Sequence, residues 1–218
     1  MGTPAYFKYG PESNFEGRKV LNVGCGFAQY VAPNVMNLDA YDNCRPKGRT
    51  NFIQHDLTQP LPFEDGTFDL VFANHIMEHV PNWWNTFCEM SRVVKTGGVV
   101  EIWVPGVGSD SILGYRDHIN TINNCSFAGT WGTYRNKTNA WAENSYLQES
   151  RKLKLIGHFT RLHNKWWLNR APQFFKAFAA EHLRNVVLED GYIFQKVTKE
   201  EIAKEDAANV RTCAALSL

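Results

Sequence analysis

The sequence Val20-Leu21-Asn22-Val23-Gly24-Cys25-Gly26 runs an apolar segment into a Gly-x-Gly turn. Glycines at such a place let backbone approach a ligand at the carboxyl edge of a sheet. Asp39 ends the next apolar run, Val35-Met36-Asn37-Leu38-Asp39, where a carboxylate can accept hydrogen bonds from a ribose diol. Asp56 closes a third run and can accept a hydrogen bond from an adenine amine. Cys25, flanked by glycines, reads as a small residue rather than a nucleophile. The candidates for moving a proton are His75, His79 and His118. His118 lies in Tyr115-Arg116-Asp117-His118-Ile119-Asn120, and Asp117 beside it can orient another base. Each residue also has a plainer reading. Asp39 and Asp56 can be strand-end turn formers, and Glu78 and His79 can brace the following helix.

The elements that must position these residues alternate along the chain. Residues 20–23, 35–39, 51–56 and 67–73 read as strands. Trp83, Trp84, Phe87, Met90, Val93 and Val94 form a helical stripe over 82–94, stopped by Gly97-Gly98, and Val99 to Val104 is a fifth strand. Strands alternating with crossovers predict an α/β fold with a doubly wound, mostly parallel sheet. Eight residues, 27–34, separate Gly26 from the second strand, and Pro33 is among them. A parallel crossover usually takes a dozen or more residues, so the first helix is about one turn or absent. Beyond Pro105 the pattern predicts a strand over 152–162 and an amphipathic helix over 166–184. A last, antiparallel strand over 192–197 is entered through Asp190-Gly191, and an exposed charged helix covers 199–209. Residues 1–198 are expected to form one domain, with 19–106 and 107–198 as its halves and 199–218 as a helical tail. Asp39, at a strand end, is expected outside the core, so that its loss would spare the fold.

Composition bounds the rest. The chain has 218 residues, 44% apolar and 21% charged, which excludes a disordered or collagen-like chain. Unbroken apolar runs reach only four residues, as at Leu70 to Ala73, far from a spanning helix. The first twenty residues show no leader-like apolar stretch, so a cytoplasmic protein is expected. The five cysteines, at 25, 44, 88, 125 and 213, have no metal-ligand spacing and no His-Glu-x-x-His sequence occurs, so no metal site is expected. Net charge is +1, but residues 1–110 carry 8 Lys+Arg against 12 Asp+Glu, and residues 111–218 carry 15 against 10. The positive half also holds Trp131, Trp141, Trp166 and Trp167. Cation beside flat aromatic surface suits an anionic or sugar-bearing ligand, or equally a solvated basic face over core tryptophans.

Three further segments complete an ordered set with the glycine turn and the two aspartates. They are Pro60-Leu61-Pro62-Phe63-Glu64-Asp65-Gly66-Thr67-Phe68-Asp69-Leu70-Val71, then Asn74-His75-Ile76-Met77-Glu78-His79-Val80, then Arg92-Val93-Val94-Lys95-Thr96-Gly97-Gly98. In this order and spacing, residues 19–106 resemble the class I S-adenosylmethionine-dependent methyltransferases. The short path from Gly26 to Asp39 is similar to a subgroup associated with polysaccharide and glycan biosynthesis. The resemblance implies that Gly24, Cys25 and Gly26 line the methionine end of S-adenosylmethionine and that Asp39 holds its ribose. It further implies that Asp56 and the Leu57 amide meet the adenine, and that Asn74 and His75 approach the methionine moiety.

Methyl transfer from a sulfonium is an in-line displacement, for which orientation supplies much of the acceleration and an oxygen nucleophile usually needs a base. His118 and His79 are the candidates for that base. The expected acceptor is a hydroxyl of a glycan, nucleotide-sugar or other small molecule. Three rivals stand beside it: an RNA or nucleotide methyltransferase, a non-catalytic methyltransferase-like binding protein, and a nicotinamide-dependent reductase. The reductase is disfavoured because Gln29 stands where a dinucleotide fold would place its third glycine. Phe72-Ala73-Asn74-His75-Ile76 lacks the Asp/Asn-Pro-Pro-aromatic run of base amino-methyltransferases, and no Pro-Cys pair for a cytosine C5 enzyme occurs.

Overall fold

A computed structural model describes residues 15–27, 30–41, 51–107, 109–127, 152–162, 172, 175 and 187–204. Among these residues seven strands form one sheet: β1 (Val20–Val23), β2 (Val35–Asp39), β3 (Phe52–Gln54), β4 (Phe68–Asn74), β5 (Val94–Pro105), β6 (Leu153–Leu162) and β7 (Val187–Lys196). Their spatial order is β3-β2-β1-β4-β5-β7-β6. β1 to β5 pair in parallel, and β7 runs antiparallel to both β5 and β6. The strand order reverses between β1 and β4, which is where an open α/β sheet leaves a crevice at its carboxyl ends.

Strand alternation divides the core into two layers. On one face, Leu21, Val23, Val71, Ala73, Val100, Ile102, Tyr192 and Phe194 bury against Phe87, Met90 and Val93 of helix α1 (Trp83–Val93). The opposite face packs Val20, Val35, Leu70, Phe72, Val99 and Ile193 beneath Phe15 and Tyr30. α1 carries no side-chain cap at Asn82. At its other end, Lys196 Nζ on β7 donates to the carbonyls of Ser91 (2.6 Å), Arg92 (3.2 Å) and Val94 (2.8 Å), where a cation complements the free carbonyls and the helix dipole.

The sequence-based boundaries shift in three places. The helix ends at Val93, not at the glycines, because Val94 already pairs with Phe68. Gly97 and Gly98 instead form a bulge in β5, with Gly97 at φ +81°. A side chain at Gly98 would fall 2.9 Å from the Asp69 carbonyl, so this close crossing needs glycine. β7 starts at Val187 and contains Asp190-Gly191 in its interior instead of being entered through it. The Trp103 ring lies over Gly191, with ring carbons 2.7 Å from where a Cβ would stand. β3 is shorter than expected, ending at Gln54.

The described residues of the β1–β2 crossover, 24–27 and 30–34, form turns and no helix, as the short spacing requires. Residues 199–204 are helical. The expected helix over 166–184, the rest of the tail and the four late tryptophans lie outside the described residues, apart from positions 172 and 175. No helix among the described residues is long and apolar enough to cross a membrane.

Candidate active site

A crossover too short for a helix must satisfy its backbone polar groups in another way, and asparagines do so. Asn37 on β2 acts as a false peptide. Its Oδ1 accepts from the Tyr30 amide (3.1 Å) and from Asn22 Nδ2 of β1 (3.0 Å), while its Nδ2 donates to the Tyr30 carbonyl (2.9 Å). Asn51 Nδ2 donates to the Ala32 carbonyl (3.1 Å) and to the Val35 carbonyl. This buried amide network fixes the path from the glycine turn to Asp39.

The turn itself is left-handed at both glycines, with φ +62° at Gly24 and +46° at Gly26. A Cβ at Gly24 would lie 2.6 Å from Ile76 Cβ and 2.8 Å from Ile76 Cδ1, so the loop after β4 sits directly on this residue. Gly26 differs, since a Cβ there would meet nothing within 4 Å. Cys25 is buried and its amide donates to the Leu38 carbonyl (3.0 Å).

Asp39 is only 7% exposed, which corrects the expectation that it lies outside the core. Its Oδ2 accepts from the Gly26 amide (2.8 Å) and its Oδ1 from the Tyr41 amide (3.1 Å). The carboxylate therefore clamps the glycine turn to the end of β2, and spare lone pairs on its two oxygens still suit a diol. Asp39→Ala leaves two amide donors without an ionised acceptor and is expected to lower the unfolding free energy by roughly 2–3 kcal/mol. Urea denaturation measures this, and an unchanged midpoint would show that the turn holds without the clamp. Asp56 is exposed and accepts from the Thr58 amide (2.9 Å); these Thr58 hydrogen bonds hold its carboxyl below the ordinary range. That is the turn-former geometry, two residues past the Gln54 that pairs with Asp39. The Leu57 carbonyl accepts from Thr86 Oγ1 (3.1 Å), anchoring this loop to α1.

The loop after β4 supplies the rest. Asn74 is half-buried, and its Oδ1 is shut off from solvent with no hydrogen-bond partner. His75 adopts φ +52°, an uncommon conformation for a non-glycine residue. Its Nδ1 lies 3.2 Å from Glu78 Oε1 and its Nε2 lies 2.8 Å from Glu189 Oε2 on β7. Both carboxylates are buried. His75 thus faces two acids, and Glu78 meets His75 instead of bracing α1. Glu189 had no sequence signal, because Glu189-Asp190-Gly191 reads as a turn.

His79 and His118, 39 positions apart, are brought into edge-to-face contact with ring centroids 4.7 Å apart. Asp117 orients His79 and not its neighbour: its backbone carbonyl lies 3.0 Å, and its Oδ2 3.3 Å, from His79 Nδ1. Tyr115 also packs on His118, with ring centroids 5.1 Å apart. The structure therefore gathers Gly24, Cys25, Gly26 and Asp39 at the ends of β1 and β2, and Asn74, His75, His79 and His118 around the end of β4. Asp56 and Leu57 follow β3.

Residues 21–102 match the family model of a methyltransferase domain. A stretch of 102 residues is 35% identical to demethylmenaquinone methyltransferase of Bacillus cytotoxicus, covering 38% of this chain and 43% of that protein. The chain thus spans less than half the length of that relative. Among solved structures, an S-adenosylmethionine-dependent methyltransferase from Mesorhizobium loti superimposes with a TM-score of 0.54 at 12% identity, over 83% of this chain and 91% of that one. A SAM-dependent methyltransferase from Archaeoglobus fulgidus gives 0.54 at 15% identity, over 84% and 88%. Residues 21–102 are thus similar to a methyltransferase domain, and the chain has the Rossmann-like fold of the solved S-adenosylmethionine-dependent methyltransferases on which it superimposes.

Proposed function

We propose that this protein transfers a methyl group from S-adenosylmethionine to a hydroxyl of a small molecule, glycan or nucleotide-sugar. The observation that carries the reading is the double left-handed Gly24-Cys25-Gly26 turn, clamped by Asp39 and opening at the β1–β4 reversal. The residues fit such a cofactor. Open space at Gly26 admits backbone-close approach, and the orphaned Asn74 Oδ1 is an acceptor suited to an ammonium group. Asp39 would take the ribose hydroxyls, Asp56 and the Leu57 amide the adenine, and Gly24, Cys25, Gly26, Asn74 and His75 the methionine end. When bound, the cofactor supplies an electrophilic methyl on a sulfonium.

The chain's own contribution is orientation and proton removal. His79, held by Asp117 through Nδ1, keeps Nε2 for a proton, and His118 stands against it. Either histidine can then take the proton of an acceptor hydroxyl. The match to demethylmenaquinone methyltransferase favours a second acceptor class, a quinone ring. Nucleic acid is the third, suggested only by the basic, tryptophan-bearing second half.

Calorimetry tests the cofactor first. S-adenosylhomocysteine is expected to bind and NADH not to compete, and Asp39→Ala to weaken binding tenfold to a hundredfold. Tight NADH binding with no response to S-adenosylhomocysteine would overturn the reading. Radiolabelled cofactor offered with nucleotide-sugars, glycan fragments, quinones, tRNA and single-stranded DNA then tests the acceptor. Label is expected on an oxygen of a sugar-bearing or other small molecule; label only in nucleic-acid bases would reject that acceptor class.

A further inference from the structure

The loop after β4 and the segment 115–120 are locked together by backbone. The Ile119 and Asn120 amides donate to the Glu78 carbonyl (2.9 and 3.1 Å), and Asn120 Nδ2 donates to the carbonyls of Met77 (3.1 Å) and Val80 (2.6 Å). This lock sets Glu78, His79 and His118 so that one electron-pair donor from each lies within 4.8 Å of the other two. Two of these residues carry buried polar atoms with no partner: Oε2 of Glu78, a residue 1% exposed, and Nδ1 of His118. Native proteins rarely leave such atoms unsatisfied, and two in one cluster point to a missing third party.

We propose that Glu78, His79 and His118 bind a divalent transition ion of the zinc class. Two imidazoles and one carboxylate form a mixed nitrogen–oxygen set that suits borderline ions and not Mg²⁺ or Ca²⁺, which prefer oxygen throughout. The surrounding contacts have the form that metal sites require. Asp117 holds His79 Nδ1 and so presents Nε2, which lies 4.0 Å from Glu78 Oε1, the oxygen that His75 Nδ1 also holds at 3.2 Å. Tetrahedral zinc keeps its ligands about 3.4 Å apart, so the three side chains close in by roughly 1 Å on binding. Three protein ligands leave a fourth position for water or an oxygen-bearing ligand. With the ion bound, both imidazole lone pairs are committed to it, so an acceptor hydroxyl would lose its proton at this fourth position and not to His79 or His118; that use rests on the methyl-transfer reading, whereas metal binding itself does not. The sequence gives no warning of the site, because no local spacing links Glu78-His79 to His118.

The test uses the full, untagged, metal-stripped chain. Zn²⁺ is titrated by calorimetry against a chromophoric chelator, and Co²⁺ by its visible absorption. One equivalent of Zn²⁺ is expected, with a tetrahedral Co²⁺ spectrum. His118→Ala and Glu78→Gln are expected to weaken Zn²⁺ at least a hundredfold, and Asp117→Asn by less than tenfold, because the Asp117 carbonyl still faces His79 Nδ1. Asp117 is an exposed side chain, so this last variant reads the site without disturbing the core. Circular dichroism checks that each variant is folded. Absence of stoichiometric binding by the folded wild-type chain would overturn the proposal, as would binding indifferent to His118→Ala and Glu78→Gln. A crystal structure grown with Zn²⁺ and showing no ion among Glu78, His79 and His118 would also overturn it. S-adenosylhomocysteine binding, measured on the same metal-stripped protein, separates this failure from failure of the methyl-transfer reading.

Discussion

Glu101→Gln is expected to stabilise the protein at pH 8 and to have almost no effect at pH 4.5. Glu101 sits on β5, 3% exposed, and its carboxylate accepts from the indole Nε1 of Trp103. Burial pushes its carboxyl up to about 7, against an ordinary 4.5, with the Trp103 hydrogen bond acting in the opposite direction. The folded state therefore holds the proton more tightly than the unfolded state. Stability from this group is complete below about 4.5 and is lost as pH rises through about 7. A shift of that size corresponds to about 3 kcal/mol, the difference between burying a neutral and an ionised group. Glutamine keeps a carbonyl for the indole and cannot ionise, so it removes the pH dependence but must also place an extra N–H₂. Urea denaturation of both proteins at pH 4.5, 6 and 8 measures the result. A gap of about 2–3 kcal/mol at pH 8, closing as pH falls, is expected. A gap independent of pH would show that the Glu101 carboxylate is not desolvated.

The second large effect separates fold from ligand at the glycine turn. Gly24→Ala places a Cβ inside contact distance of Ile76 and forces φ +62° on a residue that disfavours it. The backbone term is roughly 1–2 kcal/mol and the overpacking roughly another 1–3 kcal/mol. Gly24→Ala is thus expected to lose several kcal/mol in denaturant unfolding and to abolish S-adenosylhomocysteine binding. Adding Ile76→Ala removes Cδ1 but leaves Ile76 Cβ at 2.6 Å, so it should recover only part of the packing share. Gly26→Ala gives the contrast: φ is +46°, but nothing lies within 4 Å of the new Cβ. It should cost only the backbone term in stability while still blocking ligand approach. If Gly26→Ala bound S-adenosylhomocysteine like the wild type, the open space beside the turn would not belong to the cofactor.

The local signals in the sequence were those with a short period or a fixed turn chemistry. The apolar runs of β1, β2 and β4, the helical stripe of α1 and the left-handed glycine pair are each written within a dozen residues. So was the brevity of the first crossover: eight residues leave room for one helical turn at most, and the described ones form turns. Gly97-Gly98 shows where local reading fails. The pair looked like a helix stop, yet pairing of Val94 with Phe68 ended the helix first, and the glycines serve a bulge over Asp69. Asp39 was legible as a ligand candidate but not as a buried clamp, since its Gly26 partner lies across a turn whose path depends on Asn37 and Asn51.

The chemistry around β4 was decided by tertiary structure alone. Glu189 reaches His75 across 114 positions, His118 reaches His79 across 39, and Glu78 acquires its orphaned oxygen only once both loops close over it. No periodicity encodes such pairs. Asp117 and His118 both meet the distant His79, and His75 meets Glu189 because the sheet order β1-β4-β5-β7 brings their strand ends to one edge. The sequence by itself determined the strands, the glycine turn and the class of fold, since hydrophobic period and backbone sterics act locally. The tertiary structure decided which acids and histidines face one another, because burial makes an unpaired charge or lone pair costly only where packing has already excluded water.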